Sequence, residues 1–145
     1  MIGEECEVPE LGKAVNMDQA VVTDAVFNRI RNWVKDCDKN HPKCPKKPQS
    51  SPRRLIDLGL PEPPHGNRHI RLVSDLPNPV KYIALSHCWG PSQTFTTTNA
   101  TLEQRLSSIE WKELPRTYRD AVKVACKLHI RYIWIDSLCI IQDNP

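Results

Sequence analysis

Tyr132-Ile-Trp-Ile-Asp136-Ser-Leu-Cys139-Ile-Ile-Gln-Asp143 is the densest apolar stretch of the chain, and it ends in side chains capable of chemistry. From Ile130 to Ile135 the residues are β-branched or aromatic, with only Arg131 between them. That pattern predicts a strand covered on both faces, as strands of parallel sheets are. Asp136, Ser137 and Cys139 follow at once, where such a strand emerges. The carboxyl ends of strands in open α/β sheets are the usual ligand-binding edge.

A second apolar strand, Tyr82-Ile-Ala-Leu-Ser86, has the same layout, running straight into His87, Cys88, Trp89 and Gly90. Between the two lies the best-defined helix, expected over Thr117 to Leu128. Tyr118, Ala121, Val122, Ala125 and Leu128 form one apolar stripe, while Lys123 and Lys127 face outward. Thr117 and Asp120 have the spacing of a capping box with a shorter acid, and Lys127 near the helix end suits the helix dipole. Strand, helix and strand make a βαβ unit with parallel strands. If the strands are neighbours, Ser86, His87 and Cys88 sit beside Asp136, Ser137 and Cys139 at one edge.

Upstream, residues 1–22 show no sustained period and read as a flexible leader. Residues 23–53 read as a helix followed by a Cys/His and Pro-rich connector, and residues 54–145 as the main domain. In the helix, Val26, Phe27, Ile30, Trp33, Val34 and Cys37 recur at three- and four-residue steps behind Thr23 as N-cap. Their stripe reads as core, with docking of a partner domain as the alternative. Cys37, His41 and Cys44 follow in a Cys-x3-His-x2-Cys spacing that brings three soft ligands within reach of one zinc ion. Cys6, His65, His69 or Cys88 could complete such a structural site, and three unrelated side chains are the plainer reading. The basic, proline-rich stretch to Arg54 reads as a linker. Leu55–Leu58 and Ile70–Val73 look like an irregular hairpin, Phe95–Asn99 like a loop, and Ala100–Ser108 like a short helix.

Composition bounds the function. The 145 residues are 39% hydrophobic and 6% aromatic, material for one modest domain, and 13 Pro against 5 Gly mark the irregular middle segment. A net charge of +3, from 20 basic and 17 acidic residues, does not suit a nucleic-acid binder. No apolar run approaches the ~20 residues of a membrane helix, and the acidic start is not a secretory signal. A cytoplasmic protein whose 6 cysteines are reduced thiols is therefore expected.

Three stretches in order carry a family resemblance: Tyr82-Ile-Ala-Leu-Ser-His-Cys-Trp-Gly90, Leu114-Pro115-Arg-Thr117-Tyr-Arg119-Asp120-Ala121, and Tyr132 to Asp143. Together they resemble the successive motifs of the fungal heterokaryon incompatibility (HET) domain. The Trp33, Cys37, His41, Cys44 stretch and Arg54-Leu-Ile-Asp57 resemble the lead-in that often precedes it. His87 stands where the family often has an aromatic residue, and His129 where a Gly commonly closes the helix. A non-Gly residue in a left-handed C-cap is strained. The resemblance implies nonself recognition in fungi, with programmed cell death triggered by incompatible partners. It also implies a partial flavodoxin-like α/β fold with a parallel sheet and flanking helices, shared with the distantly related TIR domains, some of which cleave NAD. The family domain continues into an acidic helix, and Asp143-Asn144-Pro145 reads as the N-cap of that helix, so the chain is expected to be an N-terminal fragment of the domain.

Two function classes follow. In one, the sheet edge and helices assemble with other incompatibility or signalling proteins, or with a second copy, and neither nucleic acid nor membrane is a partner. In the other, the chain is part of a TIR-like glycohydrolase with NAD as substrate, incomplete and inactive in this form. Asp136 would then be the catalytic carboxylate beside an oxocarbenium-like centre, against the plainer reading of a turn residue bonding nearby N–H groups. A Cys139–His87 nucleophile pair is a third idea. Trp89 and Trp134 read as core.

Overall fold

Among the described residues, four short strands form one mixed sheet in the order β2-β1-β4-β3: β1 Arg54–Asp57, β2 Arg71–Ser74, β3 Tyr82–Leu85 and β4 Tyr132–Ile135. The computed structural model describes residues 23–44, 47–59, 69–90 and 95–144. The expected leader, Cys6, His65 and Pro145 lie outside them. Strands β3 and β4 pair in parallel with Ile83 opposite Ile133 and Leu85 opposite Ile135, as the βαβ reading requires. The expected hairpin forms with Ile56 opposite Leu72. It joins the same sheet, because β1 also pairs antiparallel with β4, Ile56 opposite Ile133.

The core lies on the side of the sheet that presents Ile56, Leu72, Ile133 and Ile135. Tyr118, Val122 and Ala125 of helix α3 (Arg116–Lys127) close over it, with Leu138 and Cys139 of the one-turn helix α4 (Asp136–Cys139). Helix α2 (Leu102–Ser107) lies against β2, and its Leu102 and Leu106 pack on the cluster. Burial in β4 alternates: Ile133 and Ile135 are buried, whereas Tyr132 and Trp134 are half-buried. Coverage of both faces was expected. The covering residues of α3 and α4 gather on the Ile133 side, and the face shared by Tyr82, Ala84, Tyr132 and Trp134 stays partly open.

Helix α3 starts one residue earlier than expected, and the capping box does not form. Pro115, with φ −53°, is already set for a helix start and its carbonyl accepts from Arg119 N–H at 3.0 Å. Thr117 therefore falls inside the first turn, and Asp120 bonds the Lys123 ammonium at 2.9 Å instead. At the far end Ile130 N–H donates to the Ala125 carbonyl (3.0 Å) and His129 N–H to that of Cys126 (2.9 Å), the double closure of a Schellman motif. That motif needs a left-handed residue after the cap, and His129 takes it at φ 57°.

Helix α1 (Asp24–Asn40) begins at Thr23, whose Oγ1 accepts from Val26 N–H at 3.4 Å. Its stripe was expected to be core, but Phe27 alone is buried, while Val26, Trp33 (63% exposed) and Val34 are open to solvent. Polar ties along its length hold the helix instead. Asp24 pairs with Lys127 at 2.9 Å, the Arg31 guanidinium donates to the Lys127 carbonyl, and Asp38 pairs with Lys81 at 2.9 Å.

Candidate functional site at the sheet edge

Because Leu85 and Ile135 are register partners in a parallel pair, the two chains leave the sheet side by side. After β4 the backbone turns at once into α4, and Asp136 sits at the turn. Its Oδ1 accepts from Ser137 N–H at 2.7 Å and its Oδ2 from the Trp89 indole N–H at 2.8 Å. The first bond is the local turn contact that an aspartate at a strand end makes; the second ties the end of β3 to the end of β4. Gly90 follows Trp89 with φ 72°, a left-handed conformation natural to glycine.

Beneath this clamp the Tyr118 hydroxyl lies 2.6 Å from Ser137 Oγ and 3.2 Å from His87 Nε2. The His87 ring meets Tyr118 edge-on, centroids 5.2 Å apart. Tyr118 and Ser137 are fully buried, so the three groups fix α3 against both strand ends rather than open to a substrate. His87 Nδ1 is buried with no hydrogen-bond partner among the described residues.

The connection after β3 returns along the same edge. Thr97 N–H donates to the Ser137 carbonyl at 2.9 Å, Gln142 N–H to that of Thr97 at 2.8 Å, and Asn99 N–H to the Asp143 carboxylate at 2.8 Å. Asp143 belongs to the stretch Asp143-Asn144-Pro145 read as a helix N-cap, and its Oδ1 receives the N–H of a residue 44 positions away. Arg105 lies under the loop, its guanidinium 4.1 Å from the Phe95 ring centre. Burial lowers its pKa, countered by the Glu113 carboxylate 3.9 Å away.

The expected edge residues thus divide. Trp89, Asp136, His87 and Ser137 are brought together, while Ser86 and Cys88 are exposed beside them. Trp89 was expected in the core but is 38% exposed, because its indole reaches across the open rim to Asp136. Trp134 is half-buried. Cys139 turns inward: burial pushes its thiol up to about 11, its Sγ receives Ile135 N–H at 3.5 Å, and its carbonyl accepts from Arg54 at 2.8 Å. A thiol so held is a packing group and a poor nucleophile. Of the helix residues, Pro115 and Asp120 have the roles given above, Thr117 is exposed in the first turn and Arg119 is half-buried. Cys37, His41 and Cys44 come together at the end of α1, their ligand atoms within 4.8 Å of one another; neither His69 nor Cys88 joins that group among the described residues.

One pair escaped the sequence reading. Arg131 grips Asp57 through two nitrogens, at 2.8 and 2.7 Å, just where β1 meets β4. Burial raises the Asp57 pKa, but Arg131, the Gly59 N–H and the Arg71 charge outweigh it and hold the carboxyl below its usual range. The same contact raises that of Arg131. The register partners Asp57 and Tyr132 place the two residues, and nothing local in either strand signals it.

The edge, the α3 contact and the β4–α4 turn carry the three sequence motifs, and residues 82–145 match the family model described as Heterokaryon incompatibility protein (HET). The likeness to that family is shown for this stretch and supports a function of the heterokaryon incompatibility type in general terms. No curated protein and no solved structure matches the chain. No helix among the described residues is long and apolar enough to cross a membrane.

Proposed function

We propose that this protein is a HET-type signalling domain of fungal nonself recognition, which engages other incompatibility or signalling proteins and so triggers programmed cell death. The family match over residues 82–145 carries the reading. The edge chemistry favours interaction over catalysis. A glycohydrolase needs a carboxylate available to an oxocarbenium-like centre, whereas both Asp136 oxygens already accept N–H donors, from Ser137 and Trp89.

Induced expression in a fungal host tests the reading. Growth arrest is expected, and Trp89→Ala, which frees one side of the clamp, is expected to abolish it while the protein still folds. Absence of arrest from the parent chain at confirmed expression would overturn the proposal. Incubation of a full-length version of the domain with NAD separates the enzymatic alternative: no nicotinamide release is expected. Release that disappears in Asp136→Ala would establish the glycohydrolase in its place.

A further inference from the structure

The end of α1 carries soft ligands that the sheet-edge reading leaves unused. Cys37 lies in the last turn of the helix, and His41 is its C-cap, with N–H bonded to the Cys37 carbonyl at 3.2 Å. Pro42 follows, and a residue before proline is steered out of the helical region; His41 accordingly takes φ −98°, ψ 104°. The chain then turns, and Cys44 N–H donates to the His41 carbonyl at 3.1 Å. Two backbone hydrogen bonds in succession thus stack the three side chains over one end of the helix.

The result is a cluster of two thiols and an imidazole. The sulfurs of Cys37 and Cys44 are 3.3 Å apart and not joined in a disulfide, and all three ligand atoms fall within 4.8 Å. Two sulfurs ~2.3 Å from one tetrahedral zinc ion stand ~3.8 Å apart, so shifts of about 1 Å or less bring the set onto an ion. The site lies at the C-terminal end of α1, where the helix dipole makes the local field favourable to a cation.

We propose that Cys37, His41 and Cys44 bind one zinc ion. The two thiols lose their protons to solvent as the Zn–S bonds form, and neutral His41 contributes a ring nitrogen. The ion secures the last turn of α1 beside Asp38, which pairs with Lys81 just ahead of β3.

Titration of the metal-free, reduced full chain with Co2+ alone reads the site directly. The expected result is one equivalent bound in a tetrahedral spectrum with thiolate-to-cobalt charge transfer, displaced by Zn2+, with about two protons released per ion near neutral pH. Cys37→Ser and Cys44→Ser should each weaken zinc binding more than the roughly 100-fold that loss of an outer-sphere partner causes. His41 is exposed, so His41→Ala keeps the fold and should weaken binding while leaving the thiolate band. Binding well below one equivalent, a cobalt spectrum without charge transfer, or a His41→Ala chain that binds like the parent would each overturn the assignment.

Discussion

The Tyr118 hydroxyl stands 2.6 Å from Ser137 Oγ, and both residues are fully buried, one in α3 and the other in the turn after β4. The same oxygen also meets His87 at 3.2 Å, so one phenol joins the helix to both strands of the parallel pair. Replacing Tyr118 with Phe removes the hydroxyl and leaves Ser137 Oγ without this partner. A buried hydroxyl stripped of its partner costs about 1–3 kcal/mol, and urea unfolding should show a loss in that range. The double variant with Ser137→Ala should lose less than the sum of the single changes; simple additivity would mean that the two hydroxyls do not interact.

Asp57 and Arg131 set a pH dependence. The folded Asp57 carboxyl has a depressed pKa, so its contribution is present above the unfolded value of ~3.9 and fades as pH falls through the lower folded value. Stability should hold from neutrality to about pH 4 and then drop. Asp57→Asn should remove about 1–2 kcal/mol at pH 7, the range for a charge-assisted pair discounted because the Arg131 side chain is 49% exposed. It should also flatten the acid limb of the stability curve, and an unchanged limb would assign that limb to other carboxylates.

Cysteine reactivity should follow burial. Cys88 is exposed and Cys139 is buried with its thiol pushed up to about 11. Brief treatment with iodoacetamide near pH 7.5, mapped by mass spectrometry, is expected to alkylate Cys88 and spare Cys139 until urea unfolds the chain. Equal labelling of the two in the native protein would contradict the inward orientation of Cys139.

His129 sits at φ 57°, where a side chain is strained and glycine is not. The left-handed conformation costs a non-Gly residue about 1–2 kcal/mol, and the greater unfolded freedom of glycine offsets part of that relief. His129→Gly should therefore raise stability by about 0.5–1 kcal/mol in urea unfolding, and His129→Ala should bring no gain. A destabilised His129→Gly chain would show that the imidazole contributes more than the strain costs.

The sheet edge was legible because its signal is local: two apolar runs, Tyr82–Leu85 and Tyr132–Ile135, each end abruptly in polar residues, and a striped helix lies between them. The parallel pairing then follows from chain geometry. Long-range features were not legible for the same reason. Nothing near Asp57 announces Arg131, 74 positions on, and nothing near Asp143 announces Asn99. The stripe of α1 shows a helix with an apolar side but not what lies against it, and only Phe27 found a buried place. The motif at Thr117 and Asp120 was outweighed by Pro115, which fixes the helix start one residue earlier. The Cys37, His41, Cys44 cluster was visible as spacing, and its convergence depended on how Pro42 turns the chain.

The way α1 is attached gives the molecule two parts with different responses to ionic strength. Asp24 and Lys127, like Asp38 and Lys81, are joined by charges standing largely in water. Salt shortens the reach of such charges to about 3 Å at 1 M, but leaves apolar burial intact. In concentrated salt the charged ends of the helix should therefore loosen, while Phe27 stays buried and the sheet remains folded. The charged residues of α1 act less as cement than as a latch whose strength the surrounding solution sets.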